Sequence, residues 1–299
     1  MSEALYTPEM EAHLQKIAAA LPSYLPADKG LCAALNEAMA YACSTGGKRL
    51  RPVLTLEFCR ICGGNVESAV PFACAVEMVH SYSLVHDDLP CMDDSSLRRG
   101  KPSVHAAFGE DIALLAGDGL LTAAFETMLR PENRTGIPAD TAAKAAYTLA
   151  AASGSRGMVG GQAIDLQSEK KTIALDELEA LQRGKTAALI TAACRIGAML
   201  AGGSDSMLEA TSAYGENIGL CFQIVDDILD TTSTAQTLGK PVQSDEAHQK
   251  NTYVSLLGIE KAWELAGKRT VRAIEALRIF GDQADGLRTL ANALLCRQK

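Results

Sequence analysis

The chain has 299 residues, 47% hydrophobic and only 5% aromatic, with 36 acids against 28 Lys and Arg for a net charge of −8. That balance excludes a nucleic-acid surface and stable membrane insertion as the organising themes, and the wealth of Ala and Leu favours helices over sheets. Nine cysteines, an odd and scattered set, point to reduced thiols and a cytoplasmic location rather than a disulfide framework.

Thr7-Pro8-Glu9 is a helix start, with a hydroxyl cap, a proline at the first helical position and an acid in the first turn. The opening residues show no basic region followed by an apolar run, so no secretory leader is expected. Helix one should end before Pro22, helix two spans about 31–43, and helix three starts near Arg51 and stops at Gly63-Gly64. Cys59 and Cys62 fall in that third helix as an isolated C-x-x-C pair. No second pair follows at zinc spacing, so they read as packing residues. Asn65 caps the fourth helix, although Pro71 would favour a later start. A short helix over 103–108 and a long one over 111–130 follow. The apolar run IALLAGDGLLTAAF is cut by Asp118 and is not expected to span a bilayer. PENRTGIPAD reads as a loop, 141–153 as a helix and GGQAIDL as a further segment. One helix is expected over 176–201, and another from a cap at Ser204 through Asp230. The polar TTSTAQTLGKPVQSDEAHQKN reads as a loop, and helices over 259–280 and 284–297 finish an all-α chain.

Two stretches carry the chemistry. In SYSLVHDDLPCMDDSSLRRGKPS, Asp87 and Asp88 close an apolar helical run, Pro90 breaks it, and Asp93, Asp94, Arg98, Arg99 and Lys101 follow. Carboxylates this close repel unless something positive lies between them. Mg²⁺ commonly bridges one or two carboxylates to substrate phosphates, and arginines grip phosphate oxygens as forks. The stretch therefore reads as a site for a magnesium-bound phosphate ester. In CFQIVDDILD, Asp226 and Asp230 are four apart and share a helix face. Asp87 and Asp93 are six apart, so either Asp93 or Asp94 must swing back after Pro90 to join Asp87.

Two smaller signals point the same way. Gly46-Gly47-Lys48-Arg49-Leu50-Arg51-Pro52 sets three bases at a helix start, where backbone N–H groups favour anions. Lys185 lies inside an apolar helix, where burial without a partner is costly; a diphosphate would supply one.

DDLPCMD followed by RRGKP, paired with FQIVDDILD, resembles the two aspartate-rich motifs of the trans-isoprenyl diphosphate synthases, bacterial farnesyl diphosphate synthases most of all. The similarity runs from Gly46 through QKNTY near residue 250. The resemblance implies an isoprenoid synthase fold, one all-α domain over 1–299 with long helices around a central substrate cavity. It implies a homodimeric prenyltransferase that uses Mg²⁺, or Mn²⁺, to condense isopentenyl diphosphate with dimethylallyl and then geranyl diphosphate. By the same resemblance Asp87, Asp93 and Asp226 coordinate metal, with Asp88 and Asp230 in support. Arg98, Lys185, Lys240 and Lys250 hold the allylic diphosphate, and Gly47, Lys48, Arg51, His80 and Arg99 hold that of isopentenyl diphosphate. Thr186 and Gln223 stabilise the allylic cation, and Tyr82, with Ser83 beside it, forms the floor that sets chain length. Ser95-Ser96 departs from the family's longer aspartate run, which bears on metal affinity. The competing readings are a geranylgeranyl or geranyl diphosphate synthase, a terpene cyclase, which has no use for a second diphosphate site, and a non-catalytic partner subunit.

Overall fold

The computed structural model describes residues 5–27, 30–169, 171–232 and 250–297. Local signals place most helix starts. In α1 (Pro8–Ala20) the Thr7 hydroxyl accepts from the Met10 N–H at 3.4 Å. Helix α2 (Ala33–Ser44) begins slightly later than expected, and α3 (Leu50–Ile61) ends before Gly63. Helix α4 (Val66–Asp87) starts at its Asn65 cap, whose side chain accepts from Glu67 N–H at 3.0 Å. Pro71 does not delay it, because near the helix start it removes only one bond, that to the Glu67 carbonyl.

The two-residue strands β1 (Leu97–Arg98) and β2 (Lys101–Pro102) form an antiparallel ribbon too short for any sequence pattern to reveal. The rest of the described chain is helical or loop: α5 (Val104–Phe108), α6 (Glu110–Leu129), α7 (Ala139–Ser153), α8 (Met158–Ser168), α9 (Leu175–Gln182), α10 (Ala188–Leu200), α11 (Asp205–Thr232), α12 (Tyr253–Leu257), α13 (Ile259–Ala276) and α14 (Asp285–Cys296). The fold is all-α. Three expectations are corrected. The stretch 176–201 is not one α-helix, since Arg183–Ala187 winds as a π-helical turn between α9 and α10. The supposed loop after Arg130 contains a 3₁₀ turn, Pro131–Arg134. Helix α12, only five residues long, precedes the two helices expected at the end.

Helix α4 is apolar on nearly all sides, as a helix buried on all sides must be, and it packs against α6, α3 and α2. Helix α11 packs against α10 and α13. Phe58 of α3 and Tyr214 of α11 meet edge to face at 5.4 Å, worth about 1 kcal/mol beyond their burial. A smaller apolar cluster, including Leu178, Ile224, Ile228 and Tyr253, lies under the C-terminal half of α11. Helix α6 is in fact long and apolar enough to cross a membrane, with a mean hydropathy of 1.5 over its best window. Here its Ala113, Leu120, Ala124 and Met128 are buried in the core. Helix α4 ends at Asp87-Asp88, and α11 carries Asp226-Asp227 in its last two turns.

Candidate active site

Asp87 is the last residue of α4, and the chain turns back at once. The Asp93 N–H donates to the Asp87 carbonyl at 2.9 Å, while Asp94 N–H reaches Leu89 and Ser95 N–H reaches Asp88. Pro90 cannot continue the helix, and Asp94 completes the turn in a left-handed conformation, φ 48°. Asp93 is half-buried and Asp94 exposed, so the turn brings Asp93 back to Asp87. Burial pushes the Asp87 carboxyl up to about 6; Asp93 and Asp88 add to the rise, and Lys185 and Arg98 oppose it.

Asp88 has a different environment. It is buried and accepts a fork from Arg98, with Nε at 3.1 Å from both carboxylate oxygens and Nη2 on Oδ1. Burial raises its carboxyl and the Arg98 hydrogen bond lowers it, the net direction being upward. In this structure Asp88 anchors Arg98. Behind the pair, on the α2 side of α4, lies a small, partly open depression lined by Tyr41, Ser81, Leu84 and Val85.

Lys185 sits on the π-helical turn, a kind of distortion that recurs at functional sites. Its Nζ meets Asp165 Oδ2 at 2.5 Å. Sequence reasoning left Asp165 unassigned; the signal was an acid in the otherwise apolar and glycine-rich GGQAIDL. Lys250 approaches from the far side, with Nζ 3.2 Å from Asp93 Oδ1 and its side chain 17% exposed. Although Lys250 ends a polar loop in the sequence, it is half-buried against the first motif. Lys240 lies outside the described residues.

On α11, Asp226 is half-buried while Asp227 and Asp230 are buried. The shared face of Asp226 and Asp230 thus gives them unequal access to the cleft. Asp226 Oδ1 accepts from Arg297 Nη2 at 2.7 Å. Arg297 also lies over the Phe222 ring, 4.0 Å from its centroid, with Lys48 Nζ at 6.0 Å from the same ring. Nothing in the local sequence marked Arg297, which reaches the site only through the fold. Thr186 donates to Gln223 Oε1 at 3.0 Å, joining the π turn to α11.

A second basic cluster surrounds the start of α3. Arg99 donates to the Gly46 carbonyl and lies over Gly47, where a Cβ would overlap its guanidinium and where φ is +113°. Arg49 pairs with buried Glu77. Burial pushes Arg51 down to about 10, with Glu77 opposing, and its buried Nε has no hydrogen-bond partner among the described residues. His80 is held far below its ordinary value by burial and then by Arg51, Arg99, Arg49 and Arg98. It is therefore neutral near pH 7. Arg49, Asp94 and Arg99 are the non-glycine residues with left-handed backbone among those described, at about 1–2 kcal/mol each. Arg49 and Arg99 lie in this cluster and Asp94 in the turn after the first motif; such strain tends to collect at functional sites. A desolvated guanidinium with an unsatisfied Nε, near Arg49, Arg98 and Arg99, is a cradle for a multiply charged anion.

Among the described residues no three Asp, Glu, His or Cys side chains converge to hold a metal by themselves. Asp87 and Asp93 are hard oxygen donors that repel one another. They suit Mg²⁺, which takes one or two carboxylates and completes its shell from phosphates and water.

Residues 32–279 match the family model for polyprenyl synthetase. The chain belongs to that family. It is a prenyltransferase by membership, and its relatives carry names of different product lengths. A farnesyl diphosphate synthase of Micrococcus luteus is 43% identical over 265 residues, covering 89% of this chain and 90% of that one. Geranylgeranyl pyrophosphate synthase 11, chloroplastic, of Arabidopsis thaliana is 44% identical over 287 residues, covering 95% and 80%. Among solved structures, an FPP/GFPP synthase from Zymomonas mobilis superposes with a TM-score of 0.85 at 39% identity, covering 96% and 98%. A geranyltransferase from Helicobacter pylori, complexed with magnesium and isoprenyl diphosphate, gives a TM-score of 0.83 at 32% identity, covering 98% of each chain.

Proposed function

We propose that this chain is a farnesyl diphosphate synthase, coupling isopentenyl diphosphate to five- and then ten-carbon allylic diphosphates in a Mg²⁺-dependent reaction that stops at fifteen carbons. Two separate anion cradles support the coupling of two diphosphates. Lys185, Lys250 and Arg98 flank Asp87 and Asp93 and would hold the allylic diphosphate. Lys48, Arg51, His80 and Arg99 would hold that of isopentenyl diphosphate, a site that a terpene cyclase does not need. Asp87, Asp93 and Asp226 would hold Mg²⁺, which when bound neutralises the departing diphosphate. The chain's own cations share that task, and Thr186 and Gln223 present neutral dipoles to the allylic carbon.

The observation that carries the fifteen-carbon reading is the aromatic pair under the first motif. Tyr82 is buried, five residues before Asp87, or about 7.5 Å back along the helix at ~1.5 Å per residue. Its ring meets His86 edge to face at 5.7 Å. His86 in turn reaches the Leu114 carbonyl of α6 at 3.0 Å and fills the space that Gly117 leaves open. The pair bridges toward α6 just where a growing chain would leave the metals.

The test is incubation with both diphosphates and Mg²⁺, then chromatography of the dephosphorylated products. Wild type should give C15 and Tyr82→Ala longer chains, with no product in chelator. A C20 product from wild type would instead support the geranylgeranyl reading that several relatives' names suggest. A folded, active Tyr82→Ala that still stops at C15 would move the floor to another helix.

A further inference from the structure

Asp227 belongs to the second aspartate motif, yet its surroundings differ from those of Asp226. It is 3% exposed, and among the described residues each of its two oxygens accepts a hydrogen bond. Oδ1 takes Gln223 Nε2 at 2.8 Å, and Oδ2 takes the backbone N–H of Tyr253 at 2.8 Å. A carboxylate can only accept, so the Gln223 amide must turn its NH₂ toward Asp227. Its Oε1 is thereby committed to the Thr186 hydroxyl, 3.0 Å away. Thr186 has one proton, and Gln223 Oε1 is nearer than Gln182 Oε1 at 3.3 Å. The hydrogen bonds therefore run in one direction, from Thr186 through Gln223 to Asp227, with Tyr253 closing the far end. What Thr186 retains for anything placed beside it is the lone-pair side of its oxygen.

The far end is well anchored. In the run Lys250–Tyr253 every residue is held by a hydrogen bond, whether to the site, to the α8–α9 connection or within the cap of α12. Lys250 reaches Asp93. The Asn251 amide donates to the carbonyls of Ser168 at 3.0 Å and Lys171 at 2.8 Å and accepts from Ile173 N–H at 3.3 Å. The Thr252 hydroxyl accepts from Ser255 N–H at 3.0 Å. The Tyr253 N–H that meets Asp227 is thus held by backbone and cannot be turned over.

We propose that Asp227 is a positioning residue, one that sets the polarity of the Thr186 hydroxyl and the Gln223 carbonyl toward the carbon that becomes cationic. The proposal rests on the reading that this cleft ionises an allylic diphosphate. There the carbon–oxygen bond breaks, the electron pair leaves with the diphosphate, and the carbon is left positive. A hydroxyl whose proton is bound elsewhere offers that carbon its negative end. Preorganised dipoles of this kind act most strongly in a site shielded from water.

Asp227→Asn tests the polarity at constant shape. The oxygen of the introduced amide must take the Tyr253 N–H, so its NH₂ faces Gln223, whose own amide turns over to accept. Gln223 then presents its NH₂ to Thr186, and the hydroxyl proton is displaced into the site. The expected result is a kcat lower by about 100-fold, the scale of losing one oriented dipole, with KM for both diphosphates within about twofold. The decisive variant is the double one, Asp227→Asn with Gln223→Glu. The carboxylate it introduces on the Thr186 side accepts both from the new amide and from Thr186, which returns the Thr186 proton to residue 223 and restores the net charge, while the bond between 223 and 227 runs the other way. It should recover at least about tenfold over Asp227→Asn, whereas Gln223→Glu alone sets two carboxylates against each other and should be the poorest of the three. A merely structural Asp227 would show no such rescue. Wild-type kcat in Asp227→Asn, or a double variant no faster than the single, overturns the proposal. If Asp227→Asn alone fails to fold, the double variant decides: folded and active supports the proposal, inactive overturns it. A wild-type chain that couples no diphosphates would overturn the functional reading and this proposal with it, whereas an active wild type with an indifferent Asp227 overturns this proposal alone.

Discussion

At the scale of the residue, Asp87 occupies a position that a carboxylate resists. Burial and the nearby Asp93 and Asp88 push it up to about 6, and Lys185 and Arg98 recover only part of the loss. In the metal-free protein that is a standing destabilisation, of the kind that active sites retain for function. Asp87→Asn keeps the shape and removes the charge. It should raise the thermal midpoint in chelator by about 2–4 °C, the shift expected for ~1 kcal/mol in a chain of this order. In Mg²⁺ it should lower kcat by at least about 100-fold. Scanning fluorimetry and steady-state turnover read the two effects separately. A midpoint below that of wild type in chelator would mean that Lys185 and Arg98 stabilise the charge more than burial opposes it. The motif was legible from its spacing, and so was the need for a turn after Pro90. Which aspartate turns back was not, because Asp93 and Asp94 differ only in the backbone they adopt, and that is decided by bonds to Asp87 and Leu89.

At the scale of the element, helix starts were legible at the side-chain caps Thr7, Asn65 and Ser204, but not at Thr252, whose cap opens a helix of only five residues. The π-helical turn Arg183–Ala187 was not, because its cause lies on another helix. Helix α8 crosses this turn at Gly161, where a Cβ would overlap the backbone of Lys185, and Gly184 faces the Gly157 carbonyl in return. Two backbones in contact require glycine on both sides, and helical periodicity carries no such information. The partners of the candidate site residues were illegible for a related reason, since Asp165, Tyr253 and Arg297 meet their targets only through the tertiary fold. Gly161→Ala should push α8 away and carry Asp165 off Lys185. The expected cost is about 1–3 kcal/mol of stability from overpacking, together with a raised KM for the allylic substrate. Urea unfolding and substrate titration check both. An unchanged KM in a destabilised variant would show that Lys185 does not depend on Asp165 for its placement.

At the scale of the whole molecule, the all-α architecture followed from composition and from apolar runs of helical length, but what ties the ends of the chain together did not. Glu57 of α3, 1% exposed, is the knot. It accepts from Arg60 at 2.9 and 2.7 Å and contacts His13 Nε2 of α1 at 3.1 Å. Arg60 also donates to the carbonyl of Gln283, in the turn before α14, at 3.0 Å. Burial alone would raise the Glu57 carboxyl, but hydrogen bonds from Arg60 and His13 outweigh it and hold the group below its ordinary value of 4.5. A carboxylate depressed in the folded state contributes stability that is fully present above its unfolded value, and loses it as pH falls through the folded value. Glu57→Gln removes the charge while leaving Arg60 and His13 in place; because the Arg60 side chain is 36% exposed, the expected cost is that of hydrogen bonds to a charged group, about 1.5–3 kcal/mol. The difference in unfolding free energy between wild type and Glu57→Gln should therefore shrink as the pH drops below about 4.5, where the wild-type carboxylate begins to gain its proton first in the unfolded chain. Urea titrations of both proteins at several pH values measure it. A difference that stays constant down to pH 3 would show that the knot holds the two ends by packing rather than by charge.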